Sequence, residues 1–102
     1  GTVTGARGSQ PVAAYLDNLT NGPRAFERSM HVFADPLIEL APGADEATVD
    51  TYAIVHQLGA VGGSGDDLEL GLRYVDRVVR LAGRWVVRDR EATTLWMRAR
   101  RV

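Results

Sequence analysis

His31 and His56 are the only two imidazoles in 102 residues, and imidazole is the side chain that titrates near neutral pH and so suits general acid/base work. The midpoint between them falls on the turn-like stretch Pro42-Gly43-Ala44-Asp45. A hairpin folded about Gly43-Ala44, with Pro42 facing Asp45, sets His31 opposite His56. Cross-strand partners share a face, with Cβ atoms roughly 4.5–5.5 Å apart, and such neighbouring imidazoles resist double protonation as like charges do. Asp35-Pro36 bears on that register. Proline has no amide for a central ladder and favours an edge or a bulge, and one extra residue there slips His31 by one place and turns it away from His56.

Other chemistries find less support. The chain has no cysteine, which excludes a thiol nucleophile, a disulfide and a zinc–thiolate site. Two histidines with no placed third ligand fall short of a metal centre, so a metal is not expected. Neither a nucleophile elbow nor a paired-carboxylate motif is present, which leaves acyl transfer and glycoside hydrolysis without a candidate.

One helix and four strands must position the histidines. Ser9 suits an N-cap and Pro11 a first turn, and Val12, Tyr15, Leu16 and Leu19 follow the i, i+3, i+4, i+7 pattern of an amphipathic helix that Asn21-Gly22-Pro23 ends. Residues 26–40 read as a long strand broken at Asp35-Pro36, and residues 48–60 as a second, with Tyr52, Ile54, His56 and Leu58 on one face. The glycine-rich residues 61–67 lack the strand-to-helix context of a phosphate-binding loop and read as a long hairpin connection. Residues 68–81 and 84–97 are the third and fourth strands. Tyr15 and Tyr52 read as packing.

Charge selects the last turn. A two-residue loop at Ala82-Gly83 would set Asp76 against Asp89 and Arg77 against Arg88, whereas a three-residue loop, Ala82-Gly83-Arg84, pairs Asp76 with Arg90 and Arg77 with Asp89. The second register is the expectation. It gathers Leu72, Tyr74, Asp76, Val78, Arg90 and Trp96 on a face able to line a pocket, and Val75, Val79, Leu81, Trp85, Val87 and Leu95 on a face that reads as core. Asp76 and Arg90 read as a structural ion pair, with Arg90 also able to hold a substrate carbonyl or carboxylate. Phe33 and Trp96 suit either core or pocket wall.

The resulting expectation is a single α+β domain over residues 1–102, a helix followed by a curved four-stranded antiparallel meander. Its 45% hydrophobic and 25% charged residues are ordinary for a globular protein, and no apolar run approaches the roughly 20 residues of a membrane span. A cytoplasmic protein with no membrane partner is expected. The net charge of −1 hides an asymmetry: residues 1–72 hold ten acids and three arginines, residues 73–102 nine arginines and three acids. The arginines interleave with acids and apolar residues at strand spacing, so cross-strand salt bridging is expected and nucleic-acid binding is not. Every basic residue is arginine, which points to a GC-rich bacterial source.

The block Arg73-Tyr74-Val75-Asp76-Arg77-Val78-Val79-Arg80-Leu81-Ala82-Gly83-Arg84-Trp85, followed by Arg90 and Trp96, resembles the Tyr-x-Asp, Gly-x-Trp, Arg and Trp ending of the SnoaL-like group of the nuclear-transport-factor-2-like superfamily. That group includes scytalone dehydratase, bile-acid dehydratases and polyketide cyclases. Ser29-Met30-His31 and Tyr52-Ala53-Ile54-Val55-His56-Gln57-Leu58 resemble the two histidine-bearing strands of scytalone dehydratase, and the likeness runs from Met30 to Arg98. It implies a cone-shaped sheet around a pocket, closed by preceding helices that are expected to be missing here together with their carboxylate and tyrosine. It also implies a cofactor-free lyase or isomerase, a dehydratase or cyclase, acting on a small hydrophobic cyclic molecule, and a homodimer or higher homo-oligomer. His31 would move the proton alpha to a carbonyl or protonate the departing hydroxyl, and His56 would orient or share that proton. Tyr74 would polarise a carbonyl, Arg90, Phe33 and Trp96 would contact substrate, and Leu72 stands where scytalone dehydratase has a small polar residue. The alternative is a domain of the same fold that binds a small ligand or dimerises without catalysis.

Overall fold

Three long strands carry the molecule, because the valine, threonine and alternating charged residues of the chain's second half suit a half-buried pleated surface. In the computed structural model, which describes residues 1–5, 8–21, 26–60 and 65–101, these are β5 (Glu46–Ala60), β6 (Asp67–Leu81) and β7 (Arg84–Arg100). Before them come β1 (Thr2–Gly5), β2 (Gly8–Pro11), helix α1 (Val12–Asn21), β3 (Phe26–Phe33) and β4 (Leu37–Glu39). The strands form one seven-stranded sheet in the order β2-β1-β7-β6-β5-β3, with β4 also paired to β5. This is the expected α+β fold with a curved antiparallel sheet. The expected four-stranded meander is its centre, enlarged by β1 and β2 and by the division of the first long strand.

The first residues depart from expectation. Ser9 does not cap the helix but lies in β2, with its hydroxyl 2.7 Å from that of Thr4. The free edge of β7 accounts for this: β1 runs parallel to it, Val3 beside Arg90, and the Thr2 amide donates to Asp89 Oδ1 at 2.8 Å. Helix α1 starts directly after Pro11 and ends at Asn21. Gly22 and Pro23 of its stop signal, and Gly62 and Gly63 of the glycine-rich connection, lie outside the described residues.

The β6–β7 hairpin satisfies two demands that the three-residue loop was expected to reconcile alone. Ala82 and Gly83 both have positive φ, 50° and 76°, so the turn has two residues in the primed geometry whose twist matches the flanking strands, and Leu81 pairs with Arg84. Yet Asp76 pairs with Arg90 and Arg77 with Asp89, as the charges demanded, because a bulge between Arg77 and Val78 absorbs one residue of β7. A second irregularity lies between Gly71 and Leu72 and sets Trp96 opposite Gly71.

The core lies on the concave face, which the even residues of β6 share with the odd residues of β3 and β5. Val3, Ala47, Ala53 and Val55 are buried there, with Asp76 among them. The face expected as core is largely open: Val79 is buried, but Leu81 is 60% and Trp85 42% exposed, and Val87 and Leu95 are exposed as well. The bulges cause part of this, since they move Val87 opposite Val78 and leave Leu95 without a Cα partner. Trp85 lies instead under the guanidinium of Arg80, 4.9 Å from its ring centroid. The arginine-rich end is joined to the acidic one by ion pairs, Arg73 to Asp50 and Arg88 to Glu46, which is the expected cross-strand bridging. Among the described residues no helix is long and apolar enough to cross a membrane.

Candidate functional site

His31 reaches the concave face because β3 carries one residue more than the hairpin alone would give it. Strand β4 follows the expected register about Gly43-Ala44, with Leu37 opposite Asp50. Beyond residues 34–36, Phe33 pairs with Ala53 and His31 with Val55, so three residues of the first strand span two of β5. The bulge at Asp35-Pro36 therefore forms, Ala34 donating to the Tyr52 carbonyl at 2.9 Å. His56 pairs with Met30 and projects from the opposite face, its Nδ1 4.0 Å from Glu69 Oε2. The adjacent imidazole pair does not exist. Successive side chains alternate between faces, so a one-residue slip is enough to separate the two histidines.

The concave face holds a cavity of about 330 Å³ among whose lining residues are His31, Phe33, Leu72, Tyr74, Arg90 and Tyr15 of α1. An aromatic row crosses it: the rings of His31 and Phe33 are 6.1 Å apart and those of Phe33 and Tyr74 6.3 Å apart, both tilted. At the end of the row the Arg90 guanidinium lies over the Tyr74 ring, 4.6 Å from its centroid. Asp76 holds that guanidinium in a fork, Nε to Oδ1 at 2.8 Å and Nη2 to Oδ2 at 2.9 Å. The hydrogen bonds to Asp76 raise the arginine's pKa above its ordinary value, partial burial opposes this, and Tyr15 adds a side-chain hydrogen bond. Burial pushes the Tyr74 phenol above its ordinary value, with a further upward push from Tyr15 that Arg90 counters. Tyr74 is thus a protonated hydroxyl at neutral pH, suited to donate a hydrogen bond.

Of the candidates from the sequence, His31, Phe33, Leu72, Tyr74 and Arg90 come together here. His56 and Trp96 lie on the other side of the sheet. Trp96 was expected beside Leu72 and Tyr74, but the bulge that leaves Leu95 unpaired advances it by one, and its indole lies across Gly71, where a β-carbon would overlap it. It lines a second hollow with Val32, Tyr52 and Ile54, to which Phe33 and Leu72 also contribute. Tyr15, read as packing, lines this concave-face cavity. Its signal was a hydroxyl on an otherwise apolar helical stripe. Gln57 lines it too, and a polar residue two places beyond buried Val55 in β5 was the available sign. Among the described residues no group of three histidines, cysteines, aspartates or glutamates could hold a metal ion.

The profile of the SnoaL-like domain matches residues 2–91. Among solved structures, the chain is similar to a protein assigned as a scytalone dehydratase from Novosphingobium aromaticivorans, with a TM-score of 0.78 and 23% identity over 99% of this chain and 67% of that one. It is similar to LinA-type3, a hexachlorocyclohexane dehydrochlorinase from Novosphingobium barchaimii, with a TM-score of 0.79 and 15% identity over 97% of this chain and 68% of that one. LinA itself gives a TM-score of 0.79 and 18% identity over 97% of this chain and 67% of that one. At these identities the likeness is one of fold, and this chain spans about two thirds of each neighbour. No curated protein matches the sequence.

Proposed function

The chain belongs to the SnoaL-like domain family of the nuclear-transport-factor-2-like superfamily, and from that premise we propose that its concave cavity eliminates a proton and a neighbouring leaving group from a small hydrophobic cyclic molecule, with His31 as the base and no cofactor. The convergence of His31, Tyr74 and Arg90 on one apolar-walled cavity carries this reading. The names of the structural neighbours support it, since a dehydratase removes hydrogen and hydroxyl and a dehydrochlorinase removes hydrogen and chlorine, two versions of one elimination.

In the proposed step a ring of the substrate lies along Phe33 and Leu72, and its carbonyl accepts a hydrogen bond from the protonated Tyr74. His31 takes the proton alpha to that carbonyl. The C–H electron pair becomes the new double bond as the C–O bond on the adjacent carbon breaks, and the departing hydroxide recovers the proton from the imidazolium and leaves as water. Proton transfer by a positioned imidazole contributes about 10²–10⁴ in rate, and a conjugated enone absorbs where the hydroxyketone does not.

A panel of cyclic β-hydroxyketones followed by enone absorbance tests the assignment. His31→Gln is expected to lower turnover by about 10²–10⁴ and to remove an imidazole limb from the pH profile, while His56→Gln retains it. Undiminished turnover in His31→Gln excludes the mechanism. One observation favours binding without turnover: among the described residues no carboxylate pairs with His31, so none there holds its tautomer or stabilises the imidazolium. On that reading the cavity binds such ketones and no enone forms.

A further inference from the structure

Among the described residues that line the cavity, one carries a permanent charge, the guanidinium of Arg90, and that charge is already answered. Asp76 lies directly behind it, only 6% exposed, with both carboxylate oxygens accepting from the same guanidinium at 2.8 and 2.9 Å. Burial makes the pairing strong in two ways: the carboxylate has little water to compete for it, and neither charge can leave without stranding the other. The Tyr74 ring lies against the guanidinium as well, its centroid 4.6 Å away. The other polar groups among the described lining residues are the phenols of Tyr15 and Tyr74, the amide of Gln57 and the imidazole of His31. Phe33, Val55, Leu70 and Leu72 are the apolar residues among the described lining.

We propose that Asp76 sets the charge preference of this cavity, cancelling Arg90 so that the site takes neutral ring-bearing molecules with a polar oxygen and turns away carboxylates. The inference rests on the concave cavity being the ligand site, and it names the class of ligand. An arginine in a cleft ordinarily marks an anion site, because its planar fork matches a carboxylate. Here that fork is occupied by the protein's own carboxylate. An incoming carboxylate would displace a bidentate buried partner or stack a second negative charge behind the same guanidinium, and a neutral hydroxyl or carbonyl meets neither cost. Asp76 acts through Arg90 and is a specificity-determining residue rather than a catalytic one.

Calorimetric titration with 2-naphthol and 2-naphthoate, a neutral and an anionic ligand on one ring skeleton, tests this at pH 8, where imidazole is ordinarily uncharged. The wild-type protein is expected to bind 2-naphthol at least about tenfold more tightly than 2-naphthoate, and Asp76→Asn to reverse that order by strengthening naphthoate binding about tenfold or more, a single close charge pair being worth a factor of that size. Loss of packing alone would weaken both ligands together and leave their ratio unchanged, which overturns the proposal. Equal binding of the two ligands by the wild-type protein, or binding of neither, overturns it as well, and that measurement stands if Asp76→Asn does not fold. Because binding rather than turnover is read, the elimination mechanism is tested separately by His31→Gln.

Discussion

His31 stands across the sheet from Val55, while His56, the next residue along β5, stands across from Met30, so the two imidazoles leave the sheet by opposite faces. The turn at Gly43-Ala44 is not responsible, since β4 keeps the register that would have joined them. The single extra residue at 34–36 is. Proline at the break leaves β4 and β3 as two short pieces pairing with β5 in registers one residue apart, and the parity of every residue before the break is reversed.

That register can be read by crosslinking, because the chain contains no cysteine of its own. His31→Cys with Val55→Cys places thiols on directly opposed residues of one face, whose Cβ separation of roughly 4.5–5.5 Å is close to the about 3.5–4.5 Å that a disulfide spans. Oxidation is expected to give an intramolecular bond, seen as a two-proton loss in intact mass that reductant restores. His31→Cys with His56→Cys is expected to stay reduced or to link separate molecules. The opposite result would show an unbulged strand.

Ala82 occupies the left-handed region at φ 50°, where a β-carbon costs an ordinary residue about 1–2 kcal/mol. Asparagine tolerates that conformation and, before Gly83, makes the preferred pair for a two-residue primed turn. Ala82→Asn is expected to stabilise the fold by about 0.5–1 kcal/mol, measured as a raised urea midpoint with an unchanged slope. A three-residue loop would give no such gain.

Acid is expected to loosen the β1–β7 and β5–β6 contacts first. The Thr2 amide, and then the Arg88 side chain, hold the Asp89 carboxyl below its ordinary value of 3.8, and the Arg73 side chain does the same for Asp50. A carboxyl whose folded pKa is depressed favours the folded state fully above its unfolded value and loses that effect as pH falls through the folded value. Little change from these groups is therefore expected between pH 7 and 5, and a decline below about pH 4. The Thr2 amide resonance should titrate with a midpoint below 3.8, and Asp89→Asn should abolish that transition. A midpoint above 3.8 would mean that β1 is not held to β7 through this carboxylate.

Much of the local structure was legible in the residues themselves. The stripe of Val12, Tyr15 and Leu16 defined α1, Asp35-Pro36 marked the break in the first long strand, and Ala82-Gly83 marked the last turn, because each depends on the conformational preferences of a few neighbouring residues. The pairing of Asp76 with Arg90 was legible too, since only one alignment of β6 and β7 sets opposite charges together at both Asp76 and Arg77.

What the sequence determined by itself, then, was the elements, their order and the ion pair beneath the cavity. Which face each side chain takes was settled only by the tertiary structure. A face depends on the parity of a residue count, and each of three bulges, at residues 34–36, at Arg88 and at Leu95, changes that count by one. The first separated His56 from His31 and the third carried Trp96 away from Tyr74. Tyr15 entered the cavity through the packing of α1 over the concave face, a contact between distant segments that no local pattern encodes. The candidate site that remains sets one imidazole in the same cavity as a tyrosine and an arginine paired with Asp76.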